Sequence, residues 1–131
     1  GDTFLRSTDG FWYLDVLGGS LRLLWPDAST LQTVLDSPEG QDEFLLGGLV
    51  SAAANRGLVL SDEQVFDLMP PPALAAPHDV ATISAMDFVV AVNIAGQIHE
   101  QIRNRPAGTK ISRVTVDAAV EPKKSRWRRG R

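Results

Sequence analysis

Two segments rich in aromatic and branched residues, Phe11 to Val16 and Ser20 to Trp25, flank the pair Gly18-Gly19, and this arrangement most limits what the chain can become. Such residues favour the half-buried surface of a strand, and glycine supplies the positive φ of a tight turn, so the three together predict a β-hairpin. A hairpin with one apolar face is not stable by itself in water and needs a layer to cover it. The rest of the chain is read as the source of that layer.

Pro26-Asp27 stops the second strand, and Asp27 or Ser29 is placed to cap a short helix through about Leu35, in which Leu31, Val34 and Leu35 fall at i, i+3 and i+4. Ser37-Pro38 has the pattern of a cap followed by proline at the first helical position. From Pro38 to Arg56, Phe44, Leu45, Gly48, Leu49, Ala52 and Ala53 keep helical spacing, and Glu39, Asp42 and Glu43 sit where the helix dipole favours anions. One helix is predicted there, ended by Asn55-Arg56-Gly57. Gly47-Gly48 inside it costs on the order of 1 kcal/mol against alanine, which predicts close packing against a neighbour. Ser61 to Gln64 reads as a turn or a single helical turn, Val65 to Met69 as a short extended segment, and Pro70 to Pro77 as a surface loop.

Residues 83–102 admit two readings. Met86, Val89, Val90, Asn93, Ile94, Gln97, Ile98, Gln101 and Ile102 recur at helical steps, and Ser84 with Asp87 resembles a capping box, which predicts one helix of about 20 residues. Phe88 to Val92 has strand propensity, which alternatively predicts a buried strand turning into a helix near Ile94. Pro106-Ala107-Gly108 ends the helix either way, and Ile111 to Val116 alternates weakly as an edge strand would.

The composition narrows the chemistry. With no cysteine there is no disulfide framework, thiolate nucleophile or cysteine zinc site, as suits a reducing cytoplasm. No apolar run approaches the roughly 18 residues that span a bilayer, so no membrane association is expected. The net charge of −3 divides unevenly. Residues 121–131 carry six basic groups and one acidic, a local +5, and the other 120 residues carry seven basic and fifteen acidic, −8. Such a body is a poor platform for a phosphate backbone and a good one for a basic partner. Direct nucleic-acid binding is expected only through the tail, where Trp127 interleaves with the cations.

His78 and His99 are the only side chains that titrate near neutrality unaided, and a small ligand-binding or hydrolase-like domain would have to use one of them with a carboxylate. Neither lies in a motif. His99 reads more simply as a helix residue offsetting the dipole, and His78-Asp79 as a surface turn. No metal or cofactor is expected, because no ligand pair has metal spacing and neither glycine pair is followed by a phosphate-loop signature.

Several segments together resemble a known family. Asp9 to Gly19, Ser37 to Val50, Arg56 to Leu60 and above all Met86 to Gln101, with its Asn-Ile-Ala-Gly-Gln-Ile-His-Glu-Gln run, are similar to the C-terminal domain of type VI secretion DNase-immunity proteins. The resemblance runs from about residue 9 to residue 108. It implies a non-catalytic protein that binds a cognate toxin in the cytoplasm and blocks its active site or substrate groove. Ala75-Ala76 replaces glycines found at that place in the family, and the basic tail is not part of its pattern. A DNase presents a basic surface to DNA, which an acidic body can occupy as a mimic. Asp36, Glu39, Asp42 and Glu43 are the expected contacts, because they cluster in a turn and a first helical turn.

The expectation is therefore an α+β fold, a small antiparallel β-sheet or hairpin packed against two or three helices. Residues 1–118 would form one immunity-like domain and residues 119–131 a basic, disordered tail. The function expected is protein binding without catalysis.

Overall fold

The computed structural model describes residues 3–74 and 79–117. The fold is α+β, with four α-helices and two small antiparallel sheets among the described residues. The first sheet has the order β1 (Thr3–Ser7), β2 (Gly10–Asp15), β3 (Ser20–Trp25), and the second pairs β4 (Gln64–Leu68) with β5 (Ile83–Asp87). The predicted hairpin is β2–β3. Its turn places Gly19 at φ 70°, and the Gly19 N–H donates to the Asp15 carbonyl at 2.9 Å. The strand β1 was not foreseen, because Thr3 to Ser7 is too short and too polar to announce itself apart from its partner.

Register sorts the residues of the first sheet onto two faces. Phe4 lies opposite Tyr13, and an irregularity between Phe11 and Trp12 sets Phe11 opposite Trp25. These rings turn inward. Tyr13, Trp25 and Phe44 are buried together, joined by Phe4, Phe11, Leu31, Val34 and Leu35. Phe44 meets Tyr13 and Trp25 edge-on with centroids 5.1 and 5.0 Å apart, a geometry that adds quadrupole attraction to the area buried.

The covering layer comes from α1 (Ala28–Leu35) and α2 (Pro38–Leu45). Asp27 caps α1 by accepting from the Thr30 N–H at 2.8 Å and from its hydroxyl at 2.9 Å, and these hydrogen bonds hold its carboxyl below the usual aspartate value. Ser37 caps α2, accepting from the Gly40 N–H at 3.0 Å while its hydroxyl donates to the Val34 carbonyl at 2.7 Å. Because one hydroxyl ends α1 and starts α2, Ser37→Ala is expected to cost about 1 kcal/mol, read as a lower urea midpoint at unchanged slope.

The predicted helix from Pro38 to Arg56 is two helices. Leu46 takes the left-handed conformation, φ 51°, and α3 (Gly47–Asn55) begins after it, so the described residues hold four α-helices where two or three were expected. The close packing predicted at the glycine pair is found at Gly47 and not at Gly48. A Cβ at Gly48 would meet nothing within 4 Å, whereas one at Gly47 would stand 3.2 Å from the Asp42 carboxylate and 3.6 Å from the Gln41 carbonyl oxygen.

A second buried cluster lies beyond the break, formed by Ala53, Leu68 and Ile83 with Leu49, Leu58, Phe66 and Val80 around it. The guanidinium of Arg56 donates to the carbonyls of Val80 and Ile83, tying the end of α3 to β5. The peptide Met69-Pro70 is cis, and Pro72–Leu74 forms a single 3-10 turn.

Neither reading of residues 83–102 holds in full. A strand is present, but it is β5 and ends at Asp87, so Phe88-Val89-Val90-Ala91-Val92 is helical despite its propensity. Asp87 rather than Ser84 caps α4 (Phe88–Ile102), accepting from the Val90 N–H at 3.0 Å, and Ser84 is paired opposite Asp67 in the sheet. Packing of Ala91 and Ile98 into the interior decides the matter, since tertiary burial outweighs differences in propensity of a few tenths of a kcal/mol per residue. Residues 111–117 form no strand ladder among the described residues. Residues 118–131, which include the predicted tail, lie outside those described.

Candidate functional site

The four predicted contact carboxylates occupy one corner of the helical layer. Asp36 ends α1, accepting from the Gln32 side-chain amide at 2.8 Å, and Glu39, Asp42 and Glu43 follow on α2. All four are exposed. Among the described residues none of them is engaged by a cation, so the corner is a fixed concentration of one sign of charge. Its rigidity has two sources. Phe44 anchors α2 in the aromatic cluster, and Gly40 brings α2 so close to α1 that a Cβ there would stand 1.9 Å from the Val34 carbonyl oxygen.

The outer face of the first sheet is of a different kind. Leu5, Trp12 and Leu23 form one cross-strand row and Leu14 and Leu21 begin the next, so this face carries apolar side chains and no charge. Leu5, Leu21 and Leu23 are between 43 and 52 % exposed, well above what a covered sheet face allows. Period-two alternation alone would set Leu21, Leu23 and Trp25 on one face, so the sequence hid this one; the irregularity between Phe11 and Trp12 turns Trp25 inward and leaves Leu21 and Leu23 outside.

His99 is engaged in the structure. Its Nε2 lies 2.8 Å from the Val16 carbonyl, and its ring packs so tightly on the hairpin turn that a Cβ at Gly19 would sit 2.5 Å from Nδ1. The side chain therefore fastens α4 to the β2–β3 turn. His78 lies outside the described residues.

An apolar cleft of about 190 Å³ opens between the two buried clusters, walled by Phe44, Leu46, Leu49, Val65, Phe66 and Ile83 among others. Asp67 is its one acidic wall residue, and its carboxylate accepts from the Leu68 N–H at 2.9 Å. Among the described residues no group of three His, Cys, Asp or Glu side chains is placed to hold a metal ion, and no helix is long and apolar enough to cross a membrane.

Comparison of the chain with family models, with curated proteins and with solved structures finds no match.

Proposed function

We propose that this chain is a non-catalytic protein-binding domain that neutralises a basic toxin of the nuclease class in the cytoplasm. The observation that carries the reading is the acidic corner, Asp36, Glu39, Asp42 and Glu43, exposed and without a cation among the described residues. A cationic DNA-binding groove is the surface such a corner complements, with charge acting mainly on encounter rate and partner choice. The similarity of Met86 to Gln101 to immunity domains supports the class of partner. The engagement of His99 by Val16 and the hairpin turn speaks against a hydrolase built on that residue.

Capture of the tagged full chain with its bound partner from its own cell lysate, followed by a DNA-cleavage assay of that partner with and without added domain, tests the proposal. Stoichiometric recovery of a basic nuclease that the domain inhibits is the expected result. Asp42→Lys with Glu43→Lys is then expected to slow association at least tenfold at low salt and to flatten its salt dependence, with the fold intact. Unchanged association in that variant removes the acidic corner from the interface, and a captured partner without nuclease activity removes the toxin reading.

A further inference from the structure

Beyond Ile102 the chain turns back along α4. Gln101 receives the backbone of Thr115 in both senses, its amide donating to the Thr115 carbonyl at 2.7 Å and its side-chain carbonyl accepting from the Thr115 N–H at 3.2 Å. One turn earlier on the helix Gln97 treats Asp117 the same way, accepting from its N–H at 2.8 Å and donating to its carbonyl at 3.4 Å. Asn93, one turn further back, accepts from the Gln97 amide at 2.5 Å and steadies it. The spacing has a physical basis. Four helical residues rise about 6.0 Å and two strand residues about 6.7 Å, so glutamines at i and i+4 match alternate residues of an extended chain running antiparallel to the helix.

A residue of an extended chain points its N–H and C=O to the same side, and its neighbours point theirs to the other side. With Thr115 and Asp117 turned to α4, the groups of Val114 and Val116 are turned away. Among the described residues those groups have no hydrogen-bond partner, and Val116 is 40 % exposed. Between Arg105 and Val114 the chain bows over an open space of about 760 Å³, so the glutamine pairs are its principal anchorage. The result is a short segment, rich in β-branched residues, that is bonded to α4 along one side and open along the other. Such an edge is a template for strand addition.

We infer that this edge pairs with the same edge of a second copy of the chain, antiparallel about a twofold axis at Thr115. The register is self-complementary. It sets Val114 opposite Val116 of the other copy as hydrogen-bonded pairs, which uses the four outward groups on each strand. It also sets Arg113 opposite Asp117 of the other copy, twice by symmetry, so the only two charges in residues 111–117 meet their opposites across the pair. A shift of one residue would turn the outward groups away from one another, and a shift of two would set Arg113 and Asp117 opposite uncharged residues.

Sedimentation equilibrium of the full chain from about 10 μM to about 1 mM tests this, a range chosen for the weak affinity of a short edge. The expected mass rises from 14.2 kDa towards twice that value. Val116→Pro removes an outward N–H while leaving the glutamine pairs at Thr115 and Asp117, and is expected to weaken the dimer at least tenfold. Arg113→Asp and Asp117→Arg are each expected to weaken it about tenfold by opposing like charges, and the two together to restore it. Amide exchange gives an independent readout. At high concentration the Val114 and Val116 amides gain protection, whereas those of Thr115 and Asp117 are protected throughout. A monomer over the whole range overturns the inference, as does a dimer indifferent to Val116→Pro. Protection of Val114 and Val116 in a monomer that arises only when another polypeptide is added also overturns it and gives the edge to that chain.

Discussion

Gly40→Ala is expected to destabilise the chain by about 3 kcal/mol, a large share of the stability of a domain this size. The added methyl would lie 1.9 Å from the Val34 carbonyl oxygen and 2.7 Å from its carbon, both backbone atoms with no flexible end to swing aside. Helices α1 and α2 must move apart, and the Ser37 hydroxyl that bonds both of them cannot follow both. Gly48→Ala is the control, since it replaces a glycine of a neighbouring helix at a place where a Cβ meets nothing within 4 Å, and helix propensity alone predicts a small gain. Urea denaturation of the two variants beside the parent chain decides the matter. Equal effects at the two positions would mean that the close approach at Gly40 does not exist. Since Gly40 lies between Glu39 and Asp42, its substitution is also expected to spread the acidic corner and slow association with a basic partner.

Trp25→Ala is expected to cost about 4 kcal/mol, the usual loss when a large buried ring is deleted. Trp25 is 4 % exposed, and its ring touches Phe44 at 5.0 Å, Phe4 at 5.8 Å and Tyr13 at 6.5 Å between centroids. No small movement of these rings fills the space it leaves. Thermal unfolding followed by near-ultraviolet circular dichroism reports both the loss of stability and the loss of fixed aromatic packing. A cost below about 1 kcal/mol would place the core elsewhere. The comparison with Leu23→Ala is instructive, because the neighbouring strand position faces outward, is 45 % exposed, and is expected to tolerate truncation within about 1 kcal/mol.

What could be read from the sequence was local, and what could not was decided by tertiary contact. The hairpin, the Asp27 and Ser37 caps and the extended segment at β4 each rest on signals within a few residues, and each is present. The break at Leu46 was hidden because leucine rarely accepts a positive φ and the apolar spacing continues on both sides of it. The Ser84 and Asp87 pair resembled a capping box, yet the true cap is the second member, since Ser84 is held in the ladder opposite Asp67. At the candidate site, the exposure of Asp36, Glu39, Asp42 and Glu43 was legible from their placement at a helix start. The role of His99 was not, because its partner Val16 lies 83 residues away and a lone histidine carries no sign of what it touches.

The two buried clusters also have a temporal meaning. Every member of the first comes from residues 4–44 and every member of the second from residues 49–83, with Leu46 as the boundary between them. A chain emerging from the ribosome in order can therefore complete each cluster from residues already synthesised, without leaving a half-formed apolar surface to wait for a distant segment. The helix α4 follows both clusters in the chain, and the His99 bond to Val16 then closes a loop around material that has already folded, so its closure entropy falls on a compact chain rather than on a random one.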